Sequence, residues 1–310
     1  MERTPIDDID LQIIRMLSRD CRISYRNIAS VVGIAPNAVK ERINKMISKD
    51  IIQSFVLRIN PALLGYEKEC ILIVKEIFKM VKEQDIINKI NLIGDTHVYA
   101  KQLGGSLVFV LAVRIGAEDK IGILTDLLRP ATVESIFVRY RPLTIGIRNS
   151  DWGIMKNLLS DPRMPAKDIA NKTSLSTKTV TRRLEKMREN HILDFTILTN
   201  LSSMRLVGYI EFAVVINIRA SHHQNIIEKL YSQLQEYLLI VPDIYQKGVI
   251  FAVFLCANIP TVDSILERLE SYDGVNKAEV FITTCLKYYQ GWLYREIDKR
   301  AKQYGSASLS

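Results

Sequence analysis

The sequence predicts an α+β chain made of two tandem copies of one plan. Each copy is a winged, three-helix helix-turn-helix followed by a ferredoxin-like βαββαβ domain. Three observations lead there. The chain has 310 residues, more than one small domain needs. It repeats itself at a fixed offset of 141 positions, as from Asp10 to Asp151. Within each repeat the apolar pattern changes from helical spacing to strand-like runs separated by turn residues.

The repeat is legible residue by residue. Asp10-Leu-Gln-Ile-Ile-Arg-Met-Leu17 is echoed by Asp151-Trp-Gly-Ile-Met-Lys-Asn-Leu158. The same offset aligns Asp20 with Asp161, Arg22 with Arg163, Ile28-Ala29 with Ile169-Ala170 and Val39 with Val180. It continues through Arg42 and Arg183, Lys45-Met46 and Lys186-Met187, and Ile51 and Ile192. After an indel of two, Leu64-Gly65-Tyr66 meets Val207-Gly208-Tyr209. The expected domains are 1–60 (first helix-turn-helix), 61–148 (first βαββαβ), 149–203 (second helix-turn-helix) and 204–310 (second βαββαβ with a C-terminal helix).

The elements follow in order. Ile9, Ile13, Ile14 and Leu17 make the stripe of a first helix. Ser24 precedes a second helix carrying Ile28 and Val31, which Gly33 ends. A third runs from Pro36, a residue suited to a first helical turn, to about Lys49, burying Val39, Ile43 and Met46. In copy two Ser176 is the expected N-cap of a helix burying Val180, Leu184 and Met187. A strand follows each trio, at 51–59 and 192–198. Copy one then reads as strands 71–75, 98–103, 107–114 and 133–139, with helices 84–91 and 118–128. Copy two reads as strands 210–218, 240–246, 249–256 and 275–283, with helices 223–237 and 261–271. That order is βαββαβ. Gly104-Gly105 and Lys247-Gly248 fall at the central hairpin turns, a helix at 286–302 closes the chain, and 305–310 reads as a frayed tail. Strands such as Leu107–Val113 and Val249–Cys256 are apolar on both faces. The second face needs a cover, supplied within the chain or by another chain.

Composition narrows the function. Apolar residues make up 48% and charged residues 25%, the balance of a globular protein. Cys21, Cys70, Cys256 and Cys285 are far apart, without CxxC, so reduced thiols in a cytoplasmic protein are expected rather than a zinc site or disulfides. His222-His223 has no further ligand at metal spacing, and P-loop, GxGxxG and GxSxG are absent, so neither metal nor cofactor is expected. The opening Met1-Glu2-Arg3-Thr4-Pro5 has no apolar h-region, and the longest apolar run, Val249 to Ala257, is about half a membrane span. No membrane association is expected.

The net charge of +8 is localised. Residues 10–60 carry nine Lys/Arg against four acids, and residues 151–201 nine against six, so the helical trios and their following strands hold the whole excess. Basic helical modules on a neutral scaffold are the footprint of nucleic-acid binding. With Val39, Ile43 and Met46 inward, Asn37, Lys40, Glu41, Asn44 and Lys45 turn outward; in copy two Lys178, Thr181, Arg182, Glu185 and Lys186 do so. Lys and Arg would neutralise phosphates, Arg182 could pair with a guanine, and Asn37 with an adenine.

Ile9-Asp10-Leu-Gln-Ile-Ile-Arg-Met-Leu17, Ile28-Ala29, Gly33-Ile34 and Pro36-Asn-Ala-Val-Lys-Glu-Arg42-Ile-Asn-Lys-Met46 together resemble the Lrp/AsnC, or feast/famine, transcription regulators. Copy two keeps the outline through Ile169-Ala170, Leu175-Ser-Thr177, Val180, Arg183-Leu184 and Ile192. The resemblance implies a sequence-specific regulator whose third helix enters the major groove of double-stranded DNA. Carried onto this chain, the contacts would be Asn37, Lys40, Glu41, Arg42 and Lys45, then Lys178, Thr181, Arg182, Arg183 and Lys186. The family's usual unit is one module per chain, paired as a homodimer; this chain carries two, and is expected to associate further into dimers. The family's Gly-x-x-Asp turn before the third βαββαβ strand is missing at Gly104-Gly105-Ser106-Leu107-Val108 and Gly248-Val249-Ile250. A small-molecule effector stays open as a partner, with no site assigned.

One enzymatic alternative rests on a second resemblance. Thr96-His97-Val98-Tyr99 is similar to a His-x-Tyr fragment of the sirohaem decarboxylases, in which His97 would act as proton donor. The next strand, Leu107-Val-Phe-Val-Leu111, lacks that family's Asn-x-Trp, and copy two reads Asp243-Ile244-Tyr245 without a His. A non-enzymatic protein is the preferred expectation. In the C-terminal helix Tyr288, Trp292 and Arg295 share one face, which is expected to pack on copy two.

Overall fold

The computed structural model describes residues 6–76, 82–139, 143–240 and 248–306. Copy one contains α1 (Asp8–Arg19), α2 (Tyr25–Val32), α3 (Pro36–Ser48), β1 (Ile52–Ile59), a 3-10 turn at Pro61–Leu64, β2 (Lys68–Lys75), α4 (Glu83–Ile90), β3 (Asp95–Gln102), β4 (Leu107–Val113), α5 (Ala117–Leu128) and β5 (Thr132–Arg139). Copy two contains α6 (Asn149–Ser160), α7 (Ala166–Thr173), α8 (Thr177–Glu189), β6 (Leu193–Thr199), α9 (Leu201–Leu206), β7 (Ile210–Ile218), a 3-10 turn at Ala220–His222, α10 (His223–Gln233), β8 (Leu238–Ile240), β9 (Val249–Cys256), α11 (Ile259–Glu270), β10 (Val275–Tyr288) and α12 (Gly291–Ser306). The α+β plan of two helix-turn-helix modules and two βαββαβ domains is the one the sequence predicts.

The chain forms two compact units, and each mixes the copies. The first comprises Met1–Ser54, Ala100–Ser106 and Ile197–Leu286; the second comprises Phe55–Tyr99, Leu107–Thr196 and Lys287–Ser310. The helix trio of copy one therefore belongs with the βαββαβ domain of copy two. The trio of copy two belongs with the βαββαβ domain of copy one and with α12.

In the first unit the strands run β10-β7-β9-β8. β7 pairs antiparallel with β9 from Ile210↔Cys256 to Asn217↔Val249, and on its other side with β10. Strand periodicity sends Phe212, Val214, Ile216 and Ile218 to the face covered by Ile226 and Leu230 of α10 and Ile265 and Leu269 of α11. In the second unit the order is β5-β2-β4-β3, with β2 paired antiparallel to β4 and β5. There Cys70, Leu72 and Val74 meet Ile86 and Ile90 of α4 and Leu124 and Leu128 of α5. Both domains thus place the fourth strand beside the first, then the third and the second, the ferredoxin-like arrangement. The opposite sheet faces are also buried, at Ile71, Ile73, Val108 and Ala112 and at Val215, Val253 and Leu255. The cover that the two-sided strands call for is present in the single chain.

Several boundaries differ from expectation. α10 stops at Gln233, because Leu238 must enter the sheet opposite Phe254. Of the strand expected at 240–246 only Ile240 is described; 241–246, with Asp243-Ile244-Tyr245, and Lys247 lie outside the described residues. β10 continues to Tyr288, and the Tyr289 N–H donates to the His97 carbonyl at 2.7 Å, so the last helix begins at Gly291 and not at Leu286. It reaches Ser306, and the remainder of the expected tail is outside the described residues. The short α9 was not expected; the Asn200 side chain caps it by accepting from the Ser202 and Ser203 N–H groups at 2.9 and 3.2 Å.

Candidate nucleic-acid interface

Each trio is built by local rules that leave one face of its third helix free. In copy one Asp7 caps α1 through a reciprocal box with Asp10. Ser24 caps α2 by accepting from the Asn27 N–H at 3.1 Å. The turn between α2 and α3 passes through Gly33 at φ +73°, a left-handed conformation glycine adopts without strain. Pro36 then starts α3, and Val39, Ile43 and Met46 are buried as its apolar stripe. Asn37, Lys40, Glu41, Asn44 and Lys45 are exposed.

Copy two repeats the construction with other residues. Ser174 takes the left-handed position of Gly33, at φ +54°. Ser176 Oγ accepts from the Thr179 N–H at 3.1 Å and starts α8. Val180, Leu184 and Met187 are buried, while Lys178, Thr181, Arg182, Glu185 and Lys186 are exposed. Each exposed set lies on one face of its helix, with two cations in copy one and three in copy two.

Two expected contacts are placed differently. Arg42 Nη1 bonds Asp7 Oδ2 at 2.8 Å and Asp10 Oδ1 at 2.9 Å, and is only half-exposed. Arg183 is 3% exposed; its Nε donates to Asp151 Oδ1 at 2.8 Å, and its Nη2 donates to Asp151 Oδ2. Hydrogen bonding to Asp10 raises the Arg42 pKa, and hydrogen bonding to Asp151 raises that of Arg183. The expectation that Arg183 meets DNA is corrected, because its guanidinium is buried against Asp151, while Arg42 stays partly exposed with its charge engaged by Asp7 and Asp10; both arginines fasten the third helix to the first. Asp10 and Asp151 were not singled out, although the 141-residue offset aligns both acids and both arginines. A pair repeated as a pair was the available signal.

His97 sits elsewhere, in the second unit. Its ring meets Trp292 edge-on, with centroids 4.8 Å apart, and burial lowers its pKa to about 4. Trp292 also packs edge-on against Tyr66, at 5.2 Å. Among the described residues no group of three or more His, Cys, Asp or Glu could hold a metal ion, and no helix is long and apolar enough to cross a membrane.

Comparison with known proteins agrees with the two modules. The AsnC-type helix-turn-helix domain matches residues 6–47, and the winged helix-turn-helix DNA-binding family matches residues 147–194. LrpA, an HTH-type transcriptional regulator of Pyrococcus horikoshii, is 30% identical over 128 residues, covering 37% of this chain and 90% of that protein. The chain belongs to the Lrp/AsnC family. FL11 of Pyrococcus furiosus is 30% identical over 104 residues, 31% of this chain and 69% of that regulator. An HTH-type regulator of Pyrococcus furiosus is 37% identical over 78 residues, 25% of this chain; the match spans about half, 53%, of that relative's length. Among solved structures, the sirohaem decarboxylase NirDL aligns with 98% of this Lrp/AsnC chain and 100% of its own, at a TM-score of 0.49 and 16% identity. AsnC of E. coli covers 46% of the chain and 94% of its own, at a TM-score of 0.33 and 22% identity.

Proposed function

We propose that this Lrp/AsnC chain is a transcription regulator that binds double-stranded DNA sequence-specifically through two unlike recognition helices, α3 and α8. One observation carries the reading: in both modules the face of the third helix opposite its buried stripe is exposed and basic, with Asn37, Lys40, Glu41 and Lys45 on one and Lys178, Thr181, Arg182 and Lys186 on the other. Helices of this kind lie in the major groove, where polar residues near the start meet base edges and Lys neutralises phosphates. Residues 1–60 and 149–203 are the DNA-reading parts, and 61–148 and 204–310 the scaffold. The protein acts in the cytoplasm. Association of chains into dimers is supported by α5, whose outer face carries exposed Ile123 and Leu127 beside buried Leu124 and Leu128, where α11 has exposed Ser264 and Arg268 beside buried Ile265 and Leu269.

The non-enzymatic reading has its own support. A proton donor working near neutral pH needs a pKa near that pH. His97 is held far below it by burial, so its imidazolium is scarce there.

Binding isotherms on genomic fragments at several salt concentrations test the proposal. Affinity should fall steeply and linearly on a logarithmic salt scale, because phosphate neutralisation releases counterions. Binding no tighter than that of a neutral control protein would overturn it.

A further inference from the structure

The C-terminal helix is fixed to the second trio. Within the second unit α12 lies along α6: Asp298 Oδ1 meets Lys156 Nζ at 2.6 Å, the Arg300 guanidinium stands 5.5 Å over the Trp152 ring, and the Tyr294 hydroxyl donates to the Leu159 carbonyl. Trp292, Leu293 and Ile297 are buried, and Trp292 packs edge-on against Tyr66 and His97. These contacts set which face of α12 remains outside.

That face is basic. Residues 291–306 carry Arg295, Lys299, Arg300 and Lys302 against Glu296 and Asp298. Both acids are already answered, Glu296 by Arg300 and Asp298 by Lys156 and Lys302. Hydrogen bonds from Lys156, then from Lys302, hold the Asp298 carboxyl below its ordinary range, so it is a fixed anion. Arg295 and Lys299 are exposed and make no ion pair among the described residues. Arg295, expected to pack inward beside Trp292, lies outside instead. Arg295, Asp298, Lys299 and Lys302 recur at i, i+3, i+4 and i+7 and so share one face, which Lys156 joins from α6. Four cations there surround one anion. The first trio is furnished differently. Arg15, which the offset aligns with Lys156, has a buried Nε and lies in the field of Glu236 and Asp8.

We infer that this face of α12 is a contact for the DNA phosphate backbone, flanking the half-site that α8 reads. The inference rests on the DNA-binding reading given above. α12 and α8 belong to one unit, so the free charges of Arg295 and Lys299 are held in place relative to the recognition helix, and little ordering is lost when they meet phosphates. Such contacts release counterions and fix register, and carry no base preference. The chain therefore grips DNA unequally, with an extra backbone contact on the side of its second module.

The test compares the full chain with an Arg295→Ala/Lys299→Ala variant on a specific and an unrelated fragment, by salt titration and hydroxyl-radical footprinting. The variant should lower the salt slope by about two and weaken both fragments by the same factor. Protection should be lost at one end of the footprint only. Both side chains are exposed, so the thermal transition should stay in place. Asp298→Asn, which uncovers Lys156 and Lys302, should tighten binding to both fragments, a gain that a merely structural α12 does not produce. A slope and footprint equal to those of the unaltered chain, or no gain with Asp298→Asn, would overturn this inference and leave the DNA-binding reading standing. An unaltered chain that binds neither fragment would overturn both.

Discussion

Arg183 and Asp151 form a buried bidentate pair that ties the third helix of the second trio to its first, and Asp151 also accepts from the Arg148 N–H at 2.7 Å. The corresponding Arg42 and Asp10 form a looser, half-exposed version shared with Asp7. The contrast matters because the same chemistry has very different weight in the two settings. An exposed pair is screened by water and contributes about 1 kcal/mol or less. Stripping one partner from a buried pair leaves an uncompensated charge and costs about 3–5 kcal/mol.

Arg183→Ala and Asp151→Ala should each lower the stability of the chain by several kcal/mol, on the order of the 3–5 kcal/mol just given. Arg42→Ala should cost about 1 kcal/mol or less. Chemical denaturation of the three variants checks this. Equal losses for Arg42→Ala and Arg183→Ala would show that burial does not separate the two pairs.

The DNA contacts divide by kind. Lys40→Ala or Lys186→Ala should weaken binding to all sequences alike and reduce the salt slope by about one. Arg182→Ala should relax base preference at one position, at a cost of about 1–3 kcal/mol. Selection of binding sites by each variant, together with salt titrations, separates the two effects. Unchanged specificity with a reduced slope in Arg182→Ala would reassign that residue to a phosphate.

His97 supplies a pH dependence with a definite sign. Burial lowers its pKa to about 4 from 6.5, so the folded state prefers the neutral ring. Its contribution to stability is complete above about pH 6.5 and is lost as the pH falls towards 4. His97→Gln should flatten that acid-side loss, and NMR titration of the ring should give a midpoint near 4. A midpoint near 6.5 would revive a proton-transfer role.

Much of this was legible in the sequence, for reasons that differ by element. The third helices were legible because Val39, Ile43 and Met46, and Val180, Leu184 and Met187, repeat at helical spacing and are buried. The same periodicity points Asn37, Lys40, Arg182 and Lys186 outward whatever the tertiary context. The inward turn of Arg183 and the acidic partners of Arg42 are not legible from helix position, which says nothing about a partner on another helix; only the aligned Asp10 and Asp151 carry that information. The end of α10 was misplaced because Leu238 is equally apolar in a helix or a strand, and its pairing with Phe254 decides. That each trio belongs with the other copy's βαββαβ domain has no local signature at all, since it depends on long-range packing.

The last prediction follows from having two unlike recognition faces on one chain. A homodimer reads a palindrome because symmetry presents the same helix twice. Here α3 presents Asn37, Lys40, Glu41 and Lys45, and α8 presents Lys178, Thr181, Arg182 and Lys186 at the offset-related positions. Cation and polar residue exchange at the second position, and acid and guanidinium at the third, so the two helices cannot favour one base pattern. If the two modules of one chain bind together, each complete site should consist of two different half-sites. If two chains associate through faces such as that of Ile123 and Leu127, the sites should become longer and two-fold symmetric, with unlike half-sites within each half. Footprinting together with a mass measurement in solution distinguishes these outcomes. A monomer protecting a strictly palindromic site would contradict both, because a single copy of α3 and a single copy of α8 offer no symmetry to match it.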